Sequence, residues 1–462
     1  VPTPLRDPAP GTPGMALSQP EPPVAPPALT QRHLTMMAMG GAVGTGLFVG
    51  SAETIRAAGP GALLSYALAG LLVLMVMRML GEMVVARPLA GSFADYARLA
   101  LGDWAGFTIG WLYWYAFVAI VAIEAIAGGR ILHGWLPAAP AWTLSLLVLA
   151  VMATVNLVSV RSFGNAELWL SVVKVGAILT FLALGGAYVL GWWPGGDGAD
   201  LSAVTGDFLP HGAGAVLTGT VAVVFAFGGT EIVTIAAAES ADPARAVARA
   251  TRQVVWRIAL FFLCSVFLVV AIVPWREVRP AHSPYVGAME VMGIPYAGTV
   301  MTVIILTALL SVLNSTLYAS SRMLFALCAH GDAPRRLVRT NQRGVPVRAV
   351  LLGTSMGCLS VAAQALWPEQ VFGFLLNSTG AVLVFMYLTI AVSQLRLRTR
   401  TEPARLTFTM WGFPFLTYAT IAALLAVLVS MLFLESARPQ LLMSLGSLVV
   451  VLSAYAVHSR RR

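Results

Sequence analysis

Lysine is almost absent from this chain: of 29 basic residues among 462, every one except Lys174 is arginine. Charge of either sign is scarce too, at 11% of residues against 58% hydrophobic, with a mean hydropathy of +0.81. Soluble domains carry charge on about a quarter of their residues, so this composition excludes one. Only three cysteines occur, Cys264, Cys328 and Cys358. Their scattered positions match neither a disulfide framework nor the paired spacing of a zinc site, and no metal site is expected. The six histidines lie in tails, in loops or near the ends of apolar runs, which argues against a histidine proton relay deep in a membrane. The first thirty residues, VPTPLRDPAP through EPPVAPPALT, lack the apolar core of a cleavable signal and read as a disordered Pro/Ala-rich tail, residues 1–30.

What is present is apolar length. Twelve windows can each cross about 30 Å of hydrocarbon, which takes roughly 20 residues. They centre near Gly46, Leu72, Tyr115, Val148, Ile178, Ala226, Cys264, Ile305, Thr354, Val384, Leu424 and Leu448. The expectation is one all-α integral membrane domain over 31–458, followed by a basic C-terminus, 459–462. A net charge of +9 would suggest nucleic acid in a soluble chain, but here the arginines mark sidedness. With the N-terminus inside, the tail and even-numbered loops hold most of them, including Arg245, Arg249, Arg252 and Arg257 after span 6, as cytoplasmic loops of membrane proteins do. Both termini are therefore expected in the cytoplasm, with the bilayer as partner and no nucleic acid.

Two spans contain runs that a plain lipid-facing helix would avoid: MGGAVGTGLFVGS (39–51) in span 1 and VVFAFGGTEIVTIAAAES (223–240) in span 6. Each glycine weakens a helix by about 1 kcal/mol relative to alanine, and unwound backbone at membrane depth survives only where it lines a cavity or is buried in protein. The runs predict helix breaks. They fall in the leading spans of two five-helix halves followed by two extra spans, the sequence pattern of an inverted-repeat carrier with a midplane binding site. Close helix packing of the small-xxx-small type, which Gly40 and Gly44 also fit, is the alternative for the first run.

A broken helix offers free N–H groups on one side and free C=O groups on the other, each with the partial charge of a helix end. The N–H groups of Gly44, Thr45 and Gly46 are candidates for a carboxylate, and the carbonyls of Phe225, Ala226 and Phe227 for an ammonium. No catalytic residue is expected. GGAVGTG lacks the glycine order of a nucleotide loop, and no cofactor is expected.

Ionisable groups inside the membrane are costly and usually functional or paired. Arg78 and Glu82, four apart in span 2, read as a structural ion pair on one helix face. Glu231 follows the break in span 6 and reads either as a proton or amine site or as an anchor of unwound backbone. Glu239 reads as a gate or loop contact, Glu124 as a partly solvated residue at an outer helix end, and Asn314 as polar glue, with Arg322 facing a neighbour the sequence does not identify. Lys174 lies about seven residues, or ~10 Å, into span 5. Its stem can snorkel to the interface, but arginine would do that equally well. A lysine can give up its proton where a guanidinium stays charged, which points to proton coupling.

The run LTQRHLTMMAMGGAVGTGLFVGSAETIRAAGPGALLSYALAG, with MRMLGEM, ELWLSVVKV, FGGTEIVTIAAAES and LNSTLYASSRMLFALCAHGDAP, resembles the amino acid transporter family of the amino acid–polyamine–organocation (APC) superfamily, from about Leu29 to the C-terminus. AGFTIGWLYWY, EIVTIAAAES with RATRQVVWRI, and LLNSTGAVLVFMYLTIAVSQLRLR carry a closer likeness to bacterial 4-aminobutyrate (GABA) permeases. The resemblance implies twelve transmembrane helices in the LeuT-like five-plus-five inverted repeat, alternating access, and amino acid uptake coupled to protons. It also implies that backbone around Ala42, Val43, Gly44, Thr45 and Gly46, and around Phe225, Ala226, Phe227 and Gly228, holds the substrate. Lys174 then stands where sodium-coupled relatives place a cation. Other amino acids remain alternatives to GABA, as does a transport-inactive sensor on the same scaffold. A membrane enzyme would need converging acids and nucleophiles that the chain does not offer.

Overall fold

Apolar runs this long have one stable form in a bilayer, because a helix satisfies every backbone N–H and C=O within itself. A computed structural model describes residues 32–33, 35–36, 43–87, 92–193, 201, 204, 206–231, 243–278 and 283–460, and the described residues contain helices and no strand. Among the described residues ten helices are long and apolar enough to cross a membrane, and Gly212–Val224 adds a shorter apolar helix. The candidate span Gly46–Ala86 covers two of the predicted windows in one stretch. The Ala42 position and Glu239 lie outside the described residues.

The chain enters this architecture through α1 (Thr45–Phe48) and α2 (Ser51–Ala58), turns at Gly59–Gly61, and continues in α3 (Ala62–Ala86). A short helix α4 (Phe93–Leu101) follows, started by a capping box. The Ser92 hydroxyl accepts from the Ala94 N–H and the Asp95 carboxylate accepts from the Ser92 N–H, satisfying donors that a helix start leaves open. Next come α5 (Asp103–Trp135), α6 (Ala141–Val158), α7 (Val160–Val189) and α8 (Gly212–Ala226). Helix α9 (Pro243–Arg257) runs through a π-helical stretch, Ile258–Cys264, into α10 (Ser265–Ile272). After α11 (Pro284–Val291) come α12 (Ala297–Ala329), α13 (Val347–Leu366), α14 (Pro368–Thr379), α15 (Val382–Arg398), α16 (Phe415–Phe433) and α17 (Arg438–Ser459).

The core lies where α5 and α12 pack along each other, with α3, α7, α8 and α15 around them. Helix α5 is the most enclosed span and α17 the least, so the last helices form an outer layer whose apolar faces suit lipid. At one end of the bundle, Arg98 of α4 contacts Asp332 just beyond α12 and bonds Asp103 at 2.6 Å, while His330 meets Asp95 at 2.6 Å. Helices α14 and α15 form one span interrupted at Gly380–Ala381. There the Ser444 hydroxyl of α17 accepts from the Ala381 N–H at 3.0 Å and donates to the Ser378 carbonyl at 3.2 Å.

Candidate functional site

The two glycine runs of the sequence contain helix ends. Val43 and Gly44 are non-helical and buried, and α1 opens at Thr45, where the N–H groups of Leu47 and Phe48 donate to the Gly44 carbonyl at 3.2 and 3.3 Å. A helix beginning there presents first-turn N–H groups with no acceptor inside the helix. Helix α8 ends at Ala226, and residues Phe227–Glu231 form turns. The two ends meet: a Cβ placed on Gly46 would lie 2.9 Å from both Cα and Cβ of Ala226. Gly44 is pressed in the same way on α12, where a Cβ would lie 2.9 Å from Cγ2 of Val312.

The unwound segment after α8 is held by its own side chains. Thr230 donates to the Phe227 carbonyl from its hydroxyl at 2.7 Å and from its N–H at 3.4 Å, so that carbonyl is already engaged. Gly229 has φ of 93°, a conformation that favours glycine, and its N–H donates to Oε1 of Glu231 at 3.2 Å. The Glu231 Oε2 accepts from the Tyr387 hydroxyl at 3.5 Å, and Nη2 of Arg257 donates to the Thr230 hydroxyl at 2.9 Å. Glu231, Arg257 and Tyr387 are all fully buried. Phe227 packs on Phe262 with ring centroids 4.4 Å apart, and Gly228 is half-buried. Tyr113 of α5 lies in the field of Glu231 and Tyr387. Its hydroxyl has no hydrogen-bond partner among the described residues.

Lys174 is fully buried, so it does not snorkel. Its Nζ donates to the Ser311 hydroxyl at 2.8 Å, and Ser311 donates to Oε1 of Glu167 at 2.5 Å. Ser171 also donates to that oxygen at 3.2 Å, and Asn314 donates to Oε2 at 3.2 Å. The Asn314 carbonyl oxygen in turn accepts from Asn156 at 2.9 Å. One polar chain therefore joins α6, α7 and α12 through the bundle interior. Glu124 of α5, read in the sequence as partly solvated, is 7% exposed and acts electrostatically on Lys174.

Two further readings need correction. Arg78 and Glu82 share a helix face, yet each binds elsewhere. Glu82 is buried and takes Arg398 at 2.6 Å, Gln394 at 2.9 Å and the Met410 N–H. Arg78 donates to the Thr409 carbonyl at 2.8 Å and stacks over Phe408 and Trp411. The segment at 408–411 thus supplies better partners to each than either is to the other. Arg257, grouped with the basic loop, is in fact in the core at 0% exposure. Arg322 has found its neighbour, the Gly344 carbonyl, at 3.4 Å.

Sequence reading passed over Glu167 and Ser311. Glu167, Ser171 and Lys174 are spaced i, i+4, i+7, one stripe of a helix, so a signal for the first was available. No group of three or more His, Cys, Asp or Glu converges on a metal position among the described residues.

Helix ends meeting inside a multi-span bundle, beside a buried lysine bonded across two helices, describe a membrane protein with a polar interior built for more than packing. The chain belongs to the amino acid permease family, whose model matches residues 33–461. It is a multi-pass membrane protein of a family of transporters and not of enzymes. It is 47% identical over 439 residues to the gamma-aminobutyric acid permease of Bacillus subtilis, covering 94% of both chains. It is also 47% identical to a probable GABA permease of Pseudomonas aeruginosa, over 89% of this chain and 88% of that one. The aromatic amino acid transport protein AroP of Corynebacterium glutamicum is 41% identical over 94% of this chain and 96% of its own.

Proposed function

We propose that the protein is a secondary active transporter that imports GABA together with a proton. It works by alternating access through twelve spans arranged as two inverted five-helix halves and two further helices. The choice of GABA rests on its permease relatives. The transport chemistry rests on one observation, the contact of the two helix ends at Gly46 and Ala226. A zwitterion needs a donor pole and an acceptor pole close together, and helix ends of opposite sense supply both. The carboxylate goes to N–H groups along Ala42–Gly46. The ammonium goes to the carbonyls of Phe225 and Ala226, since that of Phe227 already accepts two bonds from Thr230.

Lys174 is the proposed coupling residue, and Glu231, tied to the unwound segment through Gly229, the second proton site. A charged Lys174 opposes a bound sodium ion, which favours protons as the driving ion. In this reading the chain divides into a tail at 1–30, the permease domain at 31–458 and a basic end at 459–462, and the arginine distribution favours cytoplasmic termini, with the protein in the plasma membrane.

The test is uptake of labelled GABA by the purified protein in liposomes, with and without an inward proton gradient. Accumulation driven by the gradient, lost in Lys174→Ala while GABA exchange persists, is the expected result. Wild-type protein that ignores GABA overturns the substrate, and a competition panel that includes aromatic amino acids then finds it. Normal accumulation by Lys174→Ala overturns the role of the lysine.

A further inference from the structure

We propose that Glu167 is a proton-relay residue, receiving the coupling proton from Lys174 through the Ser311 hydroxyl. The inference rests on the reading of Lys174 as the coupling residue and extends it to a carboxylate that the sequence did not single out. The geometry is that of a wire: Nζ of Lys174 donates to Oγ of Ser311 at 2.8 Å, and the same Oγ donates to Oε1 of Glu167 at 2.5 Å. A hydroxyl that accepts on one side and donates on the other can pass a proton without moving its heavy atom. As the Lys174 ammonium gives a proton to Oγ, the original Ser311 proton moves to Glu167. An ammonium and a carboxylate become an amine and a carboxylic acid, with the serine restored. The pair is neutral before and after, so the shift creates no net charge in a fully buried site, where an unpaired charge is costly.

Two further features bear on the relay. Ser171 and Asn314 each donate to the Glu167 carboxylate and fix it beside the Ser311 hydroxyl; these bonds favour the ionised form, so Glu167 passes the proton on and does not keep it. Glu167 also precedes Lys174 by seven residues on α7, so the step through Ser311, at 2.8 and 2.5 Å, moves the proton toward the helix start. In the proposed topology that start is the cytoplasmic side, so the wire runs in the direction a symported proton must leave.

The experiment compares wild type, Glu167→Gln, Glu167→Asp, Ser311→Ala and Ser311→Thr in liposomes. Each is measured for GABA counterflow, for GABA accumulation under an inward proton gradient, and for GABA-induced acidification of a trapped pH dye. Glu167→Gln and Ser311→Ala should lose accumulation and acidification by about tenfold or more, the scale of a lost proton-transfer group, while counterflow stays within about threefold. Glu167→Asp and Ser311→Thr, which keep a carboxylate and a hydroxyl, should recover most of the coupled flux. Glu167→Gln that accumulates GABA as wild type does overturns the relay. So does a loss of counterflow and accumulation in equal proportion across all four variants, the pattern of a packing role. If wild type itself shows counterflow without gradient-driven accumulation, the symport reading fails first, and the two failures are told apart.

Discussion

Gly46 touches Ala226 backbone to backbone, with 2.9 Å between the position of a Cβ on the glycine and the alanine Cα. The contact ties the start of α1 to the end of α8, and no flexible side chain stands between them to give way. A methyl group at position 46 must therefore push the two helix ends apart.

Gly46→Ala should destabilise the protein by about 1–3 kcal/mol, the usual cost of overpacking, and should lower GABA uptake more than its stability loss explains. Gly446→Ala on α17, where nothing lies within 4 Å, is the control and should leave stability unchanged or raise it by up to about 1 kcal/mol. Thermal unfolding in detergent, run beside uptake in liposomes, separates the two effects.

Lys174→Arg keeps the positive charge but cannot release a proton. Counterflow should survive in this variant and gradient-driven accumulation should fall by about tenfold or more. If Lys174→Arg accumulates GABA at the wild-type rate, the lysine serves only as a fixed cation.

Arg257 and Glu231 belong to one buried network around Thr230, so their substitutions should not add. Arg257→Met alone removes the guanidinium that bonds Thr230 and acts electrostatically on Glu231, and should cost about 1–3 kcal/mol. The double variant Arg257→Met/Glu231→Gln should cost less than the sum of its parts by about 0.5–3 kcal/mol in a double-mutant cycle. Simple additivity would show that the two groups do not sense each other.

Glu82 and Arg398 should show a coupling of similar size in the same kind of cycle, and Arg78 with Glu82 much less. Removing Arg78 should act through its lost stacking on Phe408 and Trp411, so Arg78→Lys, which forfeits the planar guanidinium, should recover little of the loss.

Much of the plan could be read from residue types. Apolar length announced the spans, and the clustered glycines of residues 39–51 and 223–240 fall where α1 begins and α8 ends, because glycine is what a helix end pressed against another backbone requires. Partnerships were harder. Arg78 and Glu82 look like a pair because sequence shows only their spacing of four, whereas the loop at 408–411 that separates them is more than 300 residues away. Arg257 follows Arg245, Arg249 and Arg252, so it reads as one more loop charge, and only the packing of α9 turns it inward. Glu167 sits near the start of its span, where an acid is cheap, and nothing local reveals that α12 closes over it.

The Ser444 hydroxyl has a mechanical consequence. It bridges the interruption between α14 and α15 from both sides, taking the Ala381 N–H and giving its proton to the Ser378 carbonyl. Helix α17 thus acts as a splint across a joint, and any bending of that joint during transport must drag the splint along. A fluorophore on Val457, 55% exposed near the far end of α17, would then record the flexing of the α14–α15 joint.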